Sequence, residues 1–130
     1  MEKLIIFIIV LALASAAFAP MIKNSKANKP EYIIKHFTVT AYCPCVKCCG
    51  RFADGITASG HKIKAGDKFA AAPPEIPFGT ILDVPGYGKV PVHDRGGAIR
   101  GNRIDVFFSS HQEALRWGVQ FLAVKIYESR

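Results

Sequence analysis

The first stretch of the chain is patterned quite differently from the rest. After Met1-Glu2-Lys3 an unbroken apolar run extends from Leu4 to Leu13 and passes into the small residues Ala14, Ser15, Ala16 and Ala17. A short charged start, a compact apolar core and an A-x-A-like end predict a secretory signal peptide over residues 1–16. The run falls short of the roughly 20 apolar residues that a spanning helix takes. If retained, it would hold the chain to a membrane through this segment alone, so in either case the remainder is expected in the cell envelope or secreted, outside the cytoplasm. Residues 17–36 carry Lys23, Lys26, Lys29 and Lys35 among Asn24, Asn28 and Pro30. They have no apolar period and predict a basic tether.

From Phe37 onward the pattern alternates. Phe37-Thr38-Val39-Thr40-Ala41-Tyr42 reads as a half-buried strand, and Lys68–Ala72, Thr80–Val84 and Lys89–Val92 follow between Gly- and Pro-rich turns. Arg103–Phe108 and Val119–Tyr127 are the most apolar runs and fit buried strands. Only Ser110–Trp117 has helical character, with a Ser110-x-x-Glu113 capping box and Gly118 as its stop. Residues 37–130 are therefore expected to form one mainly β domain, a small closed six-stranded barrel with one short helix.

The formal charge is +7. Five lysines against Glu2 and Glu31 give the first 36 residues +3, and twelve basic residues against eight acids leave the domain +4. This mild excess suits an anionic polymer such as cell-wall glycan, or simple solubility. No helix carries a basic stripe, so nucleic acid is not an expected partner. A single domain of this size is expected to act as a monomer.

Two acids are chemically unusual. Alternation in Arg103–Phe108 puts Ile104, Val106 and Phe108 on one face and Arg103, Asp105 and Phe107 on the other. An acid inside so apolar a strand is costly to bury unpaired, and desolvation would raise its pKa toward that of a proton donor near neutrality; the alternative is an ion pair with an arginine. Asp94 opens a loop with Gly96, Gly97 and Gly101, whose backbone would permit positive φ and offer N–H groups to sugar oxygens; the alternative is a turn capped by Asp94 itself. Asp54-Gly55-Ile56-Thr57-Ala58-Ser59-Gly60 is a further small-residue loop, able to bind a polar ligand through Asp54 and Thr57 or to be only a turn.

Cys43, Cys45, Cys48 and Cys49 crowd into seven residues. Export and an even count favour disulfides, in a pairing that the sequence leaves open. The alternative is a zinc site built on Cys45-x-x-Cys48, with His36, His61 or His93 brought in only by the fold. His111 reads as a surface residue of the helix.

Several phrases recur in a known order. Thr40-Ala41-Tyr42, Thr57-Ala58-Ser59-Gly60, Ile76-Pro77-Phe78-Gly79-Thr80, Asp94-Arg95-Gly96-Gly97-Ala98-Ile99-Arg100-Gly101 and Arg103-Ile104-Asp105, with Glu113-Ala114 and Trp117-Gly118, resemble the three-aspartate (3D) domain. The Asp-x-Gly-Gly-Ala-Ile-x-Gly block is similar to one in the catalytic domain of membrane-bound lytic transglycosylase A. The resemblance implies a double-psi β-barrel, peptidoglycan as target and lytic transglycosylase chemistry without a cofactor. It assigns Asp105 as the catalytic acid/base and Asp94 as its supporting acid, with Thr40 and Tyr42 lining the cleft. Pro73 stands where the family has its first aspartate, and a non-catalytic wall-binding module is the alternative function.

Overall fold

The computed structural model describes residues 31–128. The expected signal peptide over 1–16 and most of the expected tether lie outside them. Strands run over Tyr32–Tyr42 (β1), Ala70–Ala71 (β2), Ile81–Val84 (β3), Gly88–Asp94 (β4), Arg103–Phe107 (β5) and Gln120–Tyr127 (β6). They close into a barrel in the order β1-β5-β2-β4-β3-β6. Consecutive strands β1 and β2 straddle β5, while consecutive strands β4 and β5 straddle β2. This double interlock is the double-psi connectivity, and it makes the β1–β5 and β2–β4 pairs parallel while the other pairs are antiparallel.

Alternation decides what lies inside. Phe37, Val39, Leu82, Val84, Val92, Ile104, Val106 and Val124 are buried together in the barrel core. β1 begins at Tyr32, inside the stretch read as tether, because Tyr32 to His36 pair with Ala123 to Tyr127 of β6. This extension buries neither face, and Ile33 and Ile34 stay exposed, so it carries no alternating signal.

Two helical segments and a 3₁₀ turn (Gly50–Phe52) complete the domain, where the sequence predicted one helix. The additional segment, α1, spans Val46–Cys49. Pro44 follows the end of β1, and the Cys48 and Cys49 N–H groups both donate to the Cys45 carbonyl, at 3.1 and 2.9 Å. One turn without a buried residue leaves no apolar period to read. The predicted helix, α2, spans His111–Trp117 and is capped as expected, the Ser110 hydroxyl accepting from the Glu113 N–H and Gly118 ending it at φ +67°. Trp117 Nε1 donates to the Val39 carbonyl at 3.2 Å and fastens α2 to β1. Among the described residues no helix is long and apolar enough to cross a membrane.

The buried Tyr87 hydroxyl donates to the carbonyls of Phe69 and Phe107, tying the β3–β4 turn to the ends of β2 and β5. Replacing it with Phe leaves the ring in place but removes the donor from a desolvated acceptor. Tyr87→Phe is expected to lower unfolding free energy by about 1–3 kcal/mol. Urea denaturation should show a lower midpoint with an unchanged slope.

Candidate functional site

Asp105 is set by its neighbours in the sheet. β5 lies between β1 and β2, so Asp105 pairs with Thr40 on one side and Ala71 on the other. Ile104, Val106 and Phe107 around it are buried. Burial pushes the Asp105 carboxyl up to about 6, against the opposing pull of the Thr40 hydroxyl and the Arg103 charge, with Asp94 adding a smaller upward push. Thr40 Oγ1 donates to Asp105 Oδ1 at 3.0 Å and also approaches the Ile104 carbonyl at 3.4 Å. Thr40, expected to line the cleft, instead supports Asp105 from the neighbouring strand.

Asp94, at the end of β4, is held quite differently. Its Oδ2 accepts from the Tyr42 hydroxyl at 2.7 Å, and its Oδ1 accepts from the N–H groups of Ala58 at 2.8 Å and Arg95 at 2.9 Å. Asp94 therefore caps its own turn, and it also ties the 54–60 loop and Tyr42 to the end of β4. Burial first, and Asp94 second, push the Tyr42 phenol well above its ordinary value, leaving it a hydrogen-bond donor. Its ring meets Phe107 and Phe69 edge-on, above a stacked Phe69–Phe107 pair. Phe107 is thus a buried platform beneath the site and not part of the cleft lining.

Tyr42, Asp54, Thr57, Asp94, Gly96, Gly97 and Asp105 border one cleft of about 720 Å³. Two of these residues spend their polar groups locally. Asp54 Oδ1 accepts from the Ile56 N–H at 3.0 Å in an Asx turn. The Thr57 hydroxyl contacts Ser59 Oγ and accepts from the His61 N–H, at 3.0 and 3.1 Å. The glycines also act otherwise than expected, since only Gly101 in that loop has positive φ. At Gly96 a Cβ would stand 2.9 Å from Ile99 Cγ1, so glycine there allows the tight turn closed by Ile99 N–H to the Gly96 carbonyl.

Sequence reading did not single out the cleft's two arginines. Arg95 donates to the carbonyls of Ala72 at 3.2 Å and Ile76 at 2.7 Å, holding the segment that contains Pro73 against the barrel. Pro73 is fully buried, and Glu75 is exposed and does not border the cleft. Asp54, by contrast, does border it. Arg100 is exposed and shares the cleft lining with the apolar Phe52, Ile56 and Pro74.

The expected disulfides are not found: all four cysteines are free. The sulfurs of Cys43, Cys45 and Cys48 instead converge on His111 Nδ1. His36, His61 and His93 are elsewhere, His36 stacked on Phe121 and the other two stacked on each other. Cys49 turns away and donates to the Cys43 carbonyl at 3.2 Å. His111 could not be found from sequence because it lies 63 to 68 residues from the cysteines.

Residues 68–128 match the family model of the 3D domain. Cell wall-binding protein YocH of Bacillus subtilis (strain 168) is 40% identical over 106 residues, which cover 79% of this chain and 36% of that protein. Putative cell wall shaping protein YabE of the same organism is 35% identical over 103 residues, covering 78% of this chain and 25% of that protein. The chain thus spans about a quarter to a third of the length of these relatives. A mutant Clavibacter michiganensis expansin, solved in complex with cellohexaose, aligns with a TM-score of 0.46 at 19% identity, covering 75% of this chain and 51% of that one.

Two outcomes follow from how Asp105 is held. Thr40→Val removes the hydroxyl that favours the ionised carboxylate, so the Asp105 midpoint should move above about 6 in a carboxyl NMR titration. Because the folded value lies above the ordinary aspartate value of 3.8, the folded chain keeps a proton that the unfolded chain has lost between these pH values. Stability should therefore fall as pH rises through that window. Asp105→Asn should flatten this dependence and leave the chain more stable at pH 7 by about 3 kcal/mol at most, read from denaturant titrations at several pH values.

Proposed function

Because this chain belongs to the 3D-domain family, we propose that it works outside the cytoplasm on peptidoglycan, as a lytic transglycosylase with Asp105 as its single acid/base. The observation that carries the reading is the Asp105 carboxyl, raised by burial to about 6 beside an open cleft. A carboxyl with such a pKa is protonated often enough to donate near neutrality and basic enough to take a proton back.

In the proposed reaction, protonated Asp105 donates to the glycosidic oxygen between N-acetylmuramic acid and N-acetylglucosamine. As that bond breaks, positive charge develops on the muramic acid ring. The Asp105 carboxylate then accepts the proton of the sugar's own C6 hydroxyl, whose oxygen closes on C1 and gives a 1,6-anhydro product. A hydrolase of the usual kind employs a second carboxylate as nucleophile or as base toward water. Here the internal hydroxyl takes that place, with the high effective concentration of an intramolecular group. Asp94, with three donors on its oxygens, positions Tyr42 and the 54–60 loop and supplies negative charge beside the developing cation. Phe52, Ile56 and Pro74 suit the apolar faces of sugar rings, and Arg100 suits the carboxylates of the muramic acid substituents.

One feature favours a second reading, a wall-binding module that retains the cleft without the chemistry: Pro73 replaces the family's first acid and is buried. A YocH-like binding role would need the cleft but not a proton donor.

Incubating the protein with purified peptidoglycan and analysing the soluble fraction by mass spectrometry separates the two. Transglycosylation predicts anhydro-muropeptides, released fastest at mildly acidic pH and falling off as pH rises above about 6, where Asp105 loses its proton. Asp105→Asn should lower release by a factor of about 10²–10⁴ while wall binding persists. Wall binding by the parent chain with no anhydro product would leave the binding module as the function.

A further inference from the structure

The cleft wall at Cys48 and Cys49 runs into a side-chain cluster that the proposed reaction does not use. We propose that Cys43, Cys45, Cys48 and His111 form a structural zinc site that ties the loop after β1 to the start of α2. This inference is independent of the cleft's reaction.

The four ligand atoms all lie within 4.8 Å of one another. His111 Nδ1 stands 3.6, 3.5 and 3.4 Å from the sulfurs of Cys43, Cys45 and Cys48. With zinc–sulfur bonds of about 2.3 Å and a zinc–nitrogen bond of about 2.0–2.1 Å, a tetrahedron has sulfur–nitrogen edges of roughly 3.5 Å. The three observed distances match that edge. Sulfur–sulfur edges would be roughly 3.8 Å on the same basis. Cys43 Sγ lies 2.9 Å from Cys45 Sγ and 3.3 Å from Cys48 Sγ, so those sulfurs part by less than about 1 Å to admit the ion.

The local backbone already has the shape for this. The turn at α1 folds Cys48 back over Cys45, and β5 ends where the chain enters α2, bringing His111 to the open side of the sulfurs. A disulfide would employ two of three comparably placed sulfurs and leave the third thiol and the imidazole without a shared partner. Three thiolates and one imidazole are a soft donor set suited to zinc, and four protein ligands leave no open position for a reacting water, which marks the site as structural. The ion would bridge positions 63 to 68 residues apart and fix the wall that carries Cys49 and Phe52.

The test uses the full chain, purified under reducing conditions, supplied with Zn²⁺ alone and dialysed against metal-free buffer. Elemental analysis should give one zinc per chain, and X-ray absorption should show three sulfurs and one nitrogen around it. His111→Ala and Cys48→Ser should lose the metal, whereas Cys49→Ser should keep it. Removing zinc with a chelator should lower the melting temperature by at least ~5 °C. A sulfur-only shell, zinc retained in His111→Ala, or a metal-free parent chain with oxidised cysteines would overturn the proposal. The X-ray absorption result on the parent chain decides the ligand set even if a variant fails to fold.

Discussion

The position of β5 between β1 and β2 is the constraint from which most of this molecule follows. A barrel of six short strands has room for few core side chains, and β5 supplies the fully buried Ile104 and Val106 to it. The residue between them must point the other way. That residue is Asp105, with the Thr40 hydroxyl beside it. Its desolvation is therefore a product of barrel closure. The same pairing that lets the core close keeps a carboxyl partly out of water.

The two acids of the cleft illustrate how environment divides one chemistry into two roles. Asp94 sits at a strand end where loops converge, and three donors from three segments occupy its oxygens. Asp105 sits within a strand, where backbone N–H groups are committed to the ladder and, among the described residues, only the Thr40 hydroxyl reaches it as a side-chain donor. The first arrangement suits a fixed negative charge that organises structure. The second suits a group that gives and takes a proton. Burial of Pro73 removes a third acid from this part of the site without opening the segment, because Arg95 holds the backbone on either side of it through the carbonyls of Ala72 and Ile76.

The rigid barrel also explains how long loops acquire defined shapes. The stretch between β1 and β2 is largely irregular, yet it is held at several independent points: Ala58 on Asp94, Ser59 on the His93 carbonyl, and Gly66 on Ser109. Convergence of its cysteines on His111 adds a further tie to α2. Each tie joins distant parts of the chain, and together they shape one side of the cleft.

Local pattern carried a good deal of information. The strands that form the barrel wall, the capped α2 helix and the unusual acid at 105 were legible because each rests on alternation, capping or residue type within a few positions. The family-like phrases extended this to the double-psi connectivity. Other features left no such trace: the outer part of β1 buries neither face, and α1 is a single turn. The roles of Thr40, Arg95 and Asp54 also depend on which backbone groups lie opposite them, and His111 meets the cysteines only after β5 has entered the barrel. The sequence by itself determined which segments bury and which side chains are chemically unusual where they stand, because burial periodicity and side-chain type are local properties. Only the tertiary structure decided which residues act together, because strand order and loop closure set distances between positions that no local spacing encodes.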